Sequence, residues 1–443
     1  MQGAMAHLSD LPVSILIEIF KYTIEDCDYL PLLLISRHLR DIAEDVIYRD
    51  ITENLLHVPD PRRRLCLLFR TLLHRPDLAS RVRNLTIKCA RDILSLPVRP
   101  SAAQHEFIQE LQRHPGATAW IRACENNLIE PYIMLLVMLT PNLLHLEIEA
   151  ECTSRMIPEM FDPKALALLS DDRRFTSLRS LTYGSGRDRW AADMTPFASA
   201  VPFLYLPNLE ELHLTGLFGR FHGWLEGGPP TTRIKHLSLR GFALDMGRID
   251  EVLAACPRLL SFRLGARYKP SGIFLAYGNL GRAFLQVRET IQLIDISYGE
   301  GIIGFDQINP PTPHPYDEER MCVFHDFPSL FDLRIPIVAY LGAVLQDAPD
   351  LESFLPKGLE TLRFYDDIWA VNAEESAELY WSTLFHRLHK VLSNNSLPNL
   401  SEINFFIHES AGWFDFEEAI DGIKAAADRA GVAIRYWGVA DDQ

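Results

Sequence analysis

Cysteine is scarce in this chain of 443 residues. There are seven, an odd number, scattered at Cys27, Cys66, Cys89, Cys124, Cys152, Cys256 and Cys322. No two form a CxxC pair, so neither a disulfide framework nor a zinc site is implied, and reduced thiols of an intracellular protein, cytoplasmic or nuclear, are expected. Positive charge is also short: 43 Lys and Arg stand against 59 Asp and Glu, a net charge of −16. Non-specific nucleic-acid binding runs on cations that neutralise phosphates, and docking on anionic membranes needs basic segments, so neither partner is expected. Long apolar runs are missing. The most apolar stretch, 132–139, falls far below the roughly 20 residues that span a bilayer. The opening MQGAMAHLSD lacks a basic region followed by an apolar core, so no secretory signal is expected and the sequons at Asn84, Asn394 and Asn399 carry no meaning.

Catalytic constellations are wanting too. Gly299, Gly301 and Gly304 spell a literal GxGxxG, but Pro310, Pro311, Pro313 and Pro315 follow closely and forbid the helix that would receive a pyrophosphate. A loop between neighbouring elements is the expectation there. His386 and His389 lie at i, i+3 on an expected helix without further ligands at metal spacing and read as surface histidines. Gly184-Ser185-Gly186 lacks the flanks of a nucleophile elbow, and the pairs Asp171-Asp172 and Asp366-Asp367 read as loop or capping residues. No cofactor, no metal and no enzymatic activity are expected.

What is present begins at residues 8–48. Leu11, Ile15, Leu16, Ile19 and Phe20 recur at helical spacing, with Pro12 in a first turn that tolerates its missing N–H. Asp28 is placed to cap a second short helix at 30–35, with Pro31 in its first turn. Leu39, Ile42, Ala43, Val46 and Ile47 make the stripe of a third. Some forty residues are too few to seal so many apolar side chains, so part of this face is expected to meet a partner or the rest of the chain. The ordered pieces Leu11-Pro12, Leu16, Ile19-Phe20, Leu33, Ile35-Ser36-Arg37 and Ile42-Ala43 resemble the F-box motif. Leu39 stands where that motif often has tryptophan. The resemblance implies a three-helix F-box over residues 1–50 that docks on a Skp-type adaptor and through it a cullin. Its expected contacts are Leu11, Pro12, Ile15, Leu16, Ile19, Phe20, Leu33 and Ile35.

Residues 51–140 read as a helical linker and cap with the first strand. A basic amphipathic helix is expected at 62–73, with Leu65, Leu68, Phe69 and Leu72 on one face and Arg62–Arg64 a solvated face more than a nuclear import signal or a nucleic-acid contact. Val82, Leu85 and Ile87 mark a strand. Helical stretches are expected at 106–114 and 119–139.

Over residues 141–443 one unit recurs: apolar, two variable, apolar, one variable, apolar. Its copies are Leu143/Leu146/Ile148, Leu178/Leu181/Tyr183, Leu209/Leu212/Leu214, Ile234/Leu237/Leu239, Leu259/Phe262/Leu264, Ile291/Ile294/Ile296, Leu330/Leu333/Ile335, Leu359/Leu362/Phe364 and Leu400/Ile403/Phe405. Proline introduces several, as in Pro141-Asn142, Pro207-Asn208, Pro257-Arg258, Pro328-Ser329 and Pro398-Asn399. The last two anchors alternate with polar residues, which is strand periodicity. Helices are expected between strands at 246–256, 339–348 and 374–393, and a closing helix at 417–430, stopped by Gly431, precedes a strand at 432–439. A strand and a helix cannot seal their own face, so stacked neighbours must share a core under a parallel sheet. Some intervals match the roughly 20–29 residues of leucine-rich repeats and others are longer. The whole resembles F-box/leucine-rich-repeat proteins, fungal ones in particular. That resemblance implies an α/β fold in which the F-box precedes an irregular leucine-rich-repeat solenoid with a parallel sheet on its concave side. The Asn or Cys expected after the last anchor is replaced by Leu217, Phe242 and Arg267, so the polar ladder of a regular horseshoe is not expected.

Residues between the last two anchors should face away from the core. They run Thr86, Glu147, Thr182, His213, Ser238, Arg263, Asp295, Arg334, Arg363 and Asn404, with Arg240 and Tyr365 one strand step later. Arg240, Arg263, Arg334 and Arg363 form a basic streak in an acidic chain. Together with Tyr365 they are the expected surface for a protein target, in particular an acidic or phosphorylated segment, because Arg pairs bidentately with both groups. Asp295, between Arg263 and Arg334, is equally placed to neutralise them into a structural ladder. The resemblance implies a substrate-recognition subunit of a cullin–RING ubiquitin ligase. The composition is also compatible with a repeat scaffold that has no ligase role.

Overall fold

The structure is a computed structural model. It describes residues 11–26, 36–56, 61–89, 106, 108–109, 112, 121–122, 129–150, 156–164, 175–184, 195–245, 247–267, 277–298, 321, 323–342, 345–366, 374–407 and 416–438. The chain divides into two compact units, Met1–Tyr183 with Leu206–Asn208, and Gly184–Tyr205 with Leu209–Gln443.

In the first unit, helix α1 (Val13–Asp26) starts where the Pro12 carbonyl accepts from the N–H groups of Ile15 and Leu16, at 2.9 and 3.1 Å. Helix α2 (Arg37–Arg49) is capped by Ser36, whose hydroxyl accepts from the Leu39 N–H at 3.2 Å and satisfies one of the open donors of the first turn. The expected helix at 30–35 lies outside the described residues. Strand β1 (Asp50–Asn54) follows directly, and helix α3 (Pro61–His74) buries Leu65, Phe69 and Leu72 as its spacing requires. Arg64 of the basic triplet pairs at 2.5 Å with Glu53. Burial pushes the Glu53 carboxyl up and Arg64 opposes the shift. Strands β2 (Asn84–Cys89), β3 (His145–Ala150) and β4 (Ser180–Gly184) extend β1 in the order β1-β2-β3-β4. The β1–β2 and β2–β3 pairings are parallel. Helix α4 (Glu130–Met138) lies within the expected helix at 119–139 and is buried on all sides, which its lack of a polar face demands.

The second unit carries β5 (Thr195–Pro196), β6 (Glu211–Arg220), β7 (His236–Asp245), β8 (Ser261–Arg267), β9 (Leu293–Tyr298), β10 (Asp332–Pro336), β11 (Thr361–Tyr365), β12 (Glu402–Ile407) and β13 (Ala433–Gly438). Strands β6 to β13 lie side by side in chain order, every pairing parallel, with β5 on β6. Parallel neighbours need a crossover, and helices supply several: α5 (Ile249–Ala254), α6 (Tyr277–Phe284), α7 (Ile337–Leu341), α8 (Glu374–Asn394) and α9 (Phe416–Ala430). The helix expected at 339–348 is corrected. Helix α7 begins directly after β10 and stops at Gly342, whose φ of 71° leaves the helix, and a separate 3₁₀ turn follows at Leu345–Asp347. Gly431, at φ 73°, ends α9 as expected.

All anchors of the nine copies are buried. The row Leu212, Leu237, Phe262, Ile294, Leu333, Leu362 and Ile403 runs in register across seven strands. Behind the later strands the core turns aromatic. Phe364 stacks on Phe405 at 6.3 Å between centroids, and Phe405 also meets Trp381 and Phe385 of α8 at 6.0 and 5.2 Å. The anchor row Ile335, Phe364, Phe405 continues in register to Tyr436 on β13, which is 48% exposed where the others are sealed.

Successive turns are also bonded to one another by backbone. The Lys235 carbonyl accepts from both Leu260 and Ser261 (2.8 and 2.9 Å), Leu260 from Gln292 and Leu293 (2.8 and 3.0 Å), and Phe331 from Glu360 and Thr361 (2.9 Å each). One carbonyl, placed just before each strand, thus takes two consecutive N–H groups of the next. The residue after the introducing proline adds a side chain. Asn142 donates to the Ser80 carbonyl at 2.8 Å, Asn208 to Thr176 at 2.7 Å, Ser329 to Glu289 at 3.0 Å and Asn399 to Lys357 at 3.3 Å. A polar ladder therefore exists, at the start of the strand instead of after it.

Candidate functional site

The candidate residues lie on two surfaces, one in each unit. In the first, α1 and α2 pack through Leu16, Phe20, Leu39, Ile42 and Ala43, with Leu11, Ile17, Val46 and Ile47 around them. The eight expected adaptor contacts separate by side. Leu16 and Phe20 are 0% and 1% exposed: their spacing turns them onto α2, so they shape the helix pair and offer no surface. Leu11 is half-buried against the same cluster. Pro12 is exposed, Ile15 is 48% exposed and Ile19 is half-buried. These three share the other side of the helix, at i, i+3 and i+7. Leu33 and Ile35 lie outside the described residues. Val13, 49% exposed, widens the outward apolar strip and was not singled out from the sequence, because periodicity does not tell which of two apolar sides is covered.

Helix α2 is braced from behind. Arg75 reaches Glu44 at 3.1 Å and Asp77 at 2.8 Å, and Arg81 donates to the Asp41 carbonyl at 2.9 Å. The hydrogen bonds from Arg75 hold the Asp77 carboxyl below its ordinary range.

The second surface is the sheet face that carries the residues between anchors. They align in register as His213, Ser238, Arg263, Asp295, Arg334, Arg363, Asn404 and Arg435 on β6 to β13. The expected streak is divided within this row. Arg334 is engaged: its guanidinium holds Asp332, two residues earlier on its own strand, at 2.6 and 3.0 Å, and approaches Asp295 at 3.6 Å. Tyr365 donates its hydroxyl to Asp295 at 3.0 Å, and its ring lies 5.1 Å from Phe406, which stacks at 5.1 Å on Trp437. Burial raises the Asp295 carboxyl, with Arg334, Tyr365 and the charge of Arg263 opposing, and raises the Tyr365 hydroxyl as well. Arg363 is half-buried and its Nε has no hydrogen-bond partner among the described residues. Asn404, wholly sealed, has none for its amide.

Arg240 and Arg263 differ: both are exposed and neither forms an ion pair among the described residues. Burial lowers the half-buried His213; the charges of Arg263, His236 and Arg240 add to that and Glu211 opposes it. These four basic groups thus share one field at the β6–β8 end of the face.

No group of three metal-binding side chains occurs among the described residues, and no described helix is long and apolar enough to cross a membrane. His386 and His389 are exposed on α8. Cys66, Cys89 and Cys256 are buried, and desolvation pushes the Cys256 thiol up to about 11, the opposite of an activated nucleophile.

A family model described as F-box-like matches residues 8–54. A search of curated proteins found no match. The chain therefore carries an F-box-like domain at its N-terminal end, ahead of a mixed α/β architecture built on parallel strands.

Proposed function

We propose that this chain is the non-catalytic, target-holding subunit of a cullin–RING ubiquitin ligase of the SCF type. The F-box-like segment binds a Skp-type adaptor, which links it to a cullin. The strand–helix units of the second unit act as an irregular leucine-rich-repeat surface for a protein target. The observation that carries this reading is the F-box-like match over residues 8–54, where Pro12 and Ile15 are exposed and Ile19 is half-buried at the start of α1, on the side away from Leu16 and Phe20. An apolar helix side of this kind suits a groove in a partner. The chain would contribute to catalysis by positioning alone, raising the effective concentration of a target lysine near the conjugating enzyme.

The test is co-purification of the adaptor with the full chain. Pro12→Ala combined with Ile15→Asp should abolish adaptor capture while leaving the unfolding transition unchanged, because both positions are exposed. Undiminished capture by that variant sinks the reading. A repeat scaffold without ligase role is the competing reading. The sealing of Leu16 and Phe20 within the α1–α2 pair favours it, and it would be supported if no adaptor accompanies the wild-type chain.

A further inference from the structure

We propose that the outer edge of β13 is where a second copy of this chain joins, by antiparallel pairing of β13 with its own copy about a two-fold axis at Tyr436. The proposal goes beyond the target-holding reading and needs neither an adaptor nor a target.

Strand β13 pairs with β12 on one side, and no described strand lies on the other. The Ala433 N–H donates to the Ser401 carbonyl at 2.8 Å, on the β12 side. Backbone groups alternate along a strand, so those of Ile434, Tyr436 and Gly438 point to the open edge. Such an edge is a template for a further strand, and chains commonly blunt it with lysine, proline or a bulge. The strand AIRYWG has no Lys and no Pro, and its six residues pair with β12 without a register shift. On the helix side, Tyr436 ends the row Ile335, Phe364, Phe405 with 48% of its surface exposed. On the other side, Trp437 lies against Phe406, with ring planes 21° apart and centroids at 5.1 Å. One face of the indole is thus covered from the β12 side, and the opposite face looks over the edge.

This edge is complementary to itself in one register. With the axis at Tyr436, that residue meets its own copy, and the outward N–H and C=O of each exchange hydrogen bonds with the other. The two phenol rings become a cross-strand aromatic pair, which encloses the exposed end of the row. Arg435 falls opposite Trp437 of the second copy, where a cation meets the open face of the indole. The Arg435 side chain is 62% exposed and pairs with Glu402 at 3.2 Å. A planar guanidinium keeps such a carboxylate at its rim while offering its flat face to a ring. An axis at Arg435 would set two arginines directly opposite each other, which is unfavourable. A foreign strand would have to bring both the cation and the rings; a second copy brings them already in place.

The experiment is sedimentation equilibrium of the full chain from about 1 to about 100 μM. Six residues a side make a small interface, so half-association is expected near roughly 10 μM. Tyr436→Pro removes an N–H that no described strand uses and should weaken association about tenfold in a chain that still folds. Tyr436→Cys tests the register without touching the backbone. A directly opposed hydrogen-bonded pair holds its Cα atoms about 5.5 Å apart, within reach of a disulfide. Mild oxidation should link two copies of that variant beyond the wild-type background, and Arg435→Cys, diagonal to its own copy, should link far less. A wild-type chain that stays monomeric at about 100 μM overturns the proposal. So does association that Tyr436→Pro leaves intact in a folded protein, and so does linkage through position 435 in preference to 436. Adaptor capture enters none of these measurements, so their failure leaves the ligase reading untouched.

Discussion

The side-chain amide of Asn208 donates to the backbone carbonyl of Thr176 at 2.7 Å, reaching from one turn to the turn before it. The Asn208 carbonyl in turn accepts from Arg179 at 3.2 Å. Alanine at 208 removes the donor, and because the bond is exposed water can take the freed carbonyl, so the loss is about 0.5–1.5 kcal/mol. Urea unfolding of Asn208→Ala should show that loss at an unchanged slope. A midpoint equal to wild type would remove these Pro-Asn turns from the account of stability.

Phe405 is fully sealed and touches Phe364, Trp381 and Phe385. Its replacement by alanine opens a cavity where α8 meets the sheet, for a loss of about 3–5 kcal/mol. Calorimetry should show a lowered Tm together with a smaller enthalpy.

Arg334 stands between two carboxylates, Asp332 and Asp295, whose side chains are 10% and 16% exposed. Arg334→Met takes the guanidinium from Asp332 and leaves Asp295 with the Tyr365 hydroxyl, and the loss should be about 3 kcal/mol in guanidinium unfolding. Adding Asp332→Asn should recover part of it, since one uncompensated charge is then gone. A single substitution that proves neutral would put Arg334 back among the residues free to meet a target.

His213 binds its proton less readily in the folded chain than its ordinary value of 6.5 implies, chiefly through burial. Protons therefore favour the unfolded chain as pH drops. Its contribution to stability is undiminished above about 6.5 and is lost progressively below. Unfolding measured from pH 7.5 down to 5.5 should fall more steeply for wild type than for His213→Gln. Parallel curves for the two proteins would exclude this residue as the source.

The strand pattern was legible because it is set by one physical demand. An apolar residue at each of three fixed positions must be buried in every turn, and all twenty-seven obey it. Register followed, since a slip of one residue would turn each row inside out. What lies between the rows was less readable. Helix α7 was misplaced because Gly342 marks its end, and a glycine followed by Ala and Val reads equally well as helix interior. Arg334 looked like a neighbour of Arg363 in a streak, although Asp332, two residues earlier on the same side of the strand, was there in the sequence to claim it. On α1, Leu16 and Ile15 are adjacent and equally apolar, and only the position of α2 decides which is covered. The Pro-Asn starts were seen as punctuation; their hydrogen bonds to the preceding turn became visible only in three dimensions.

Tyr436 holds the last described place in a row of otherwise enclosed rings and aliphatics. Among the described strands that row runs out to a phenol ring with half its surface in water. For an engineer this is a splice point: a strand–helix unit grafted beyond Gly438 would find its first contact already waiting, and lengthening the array there should raise the Tm instead of lowering it.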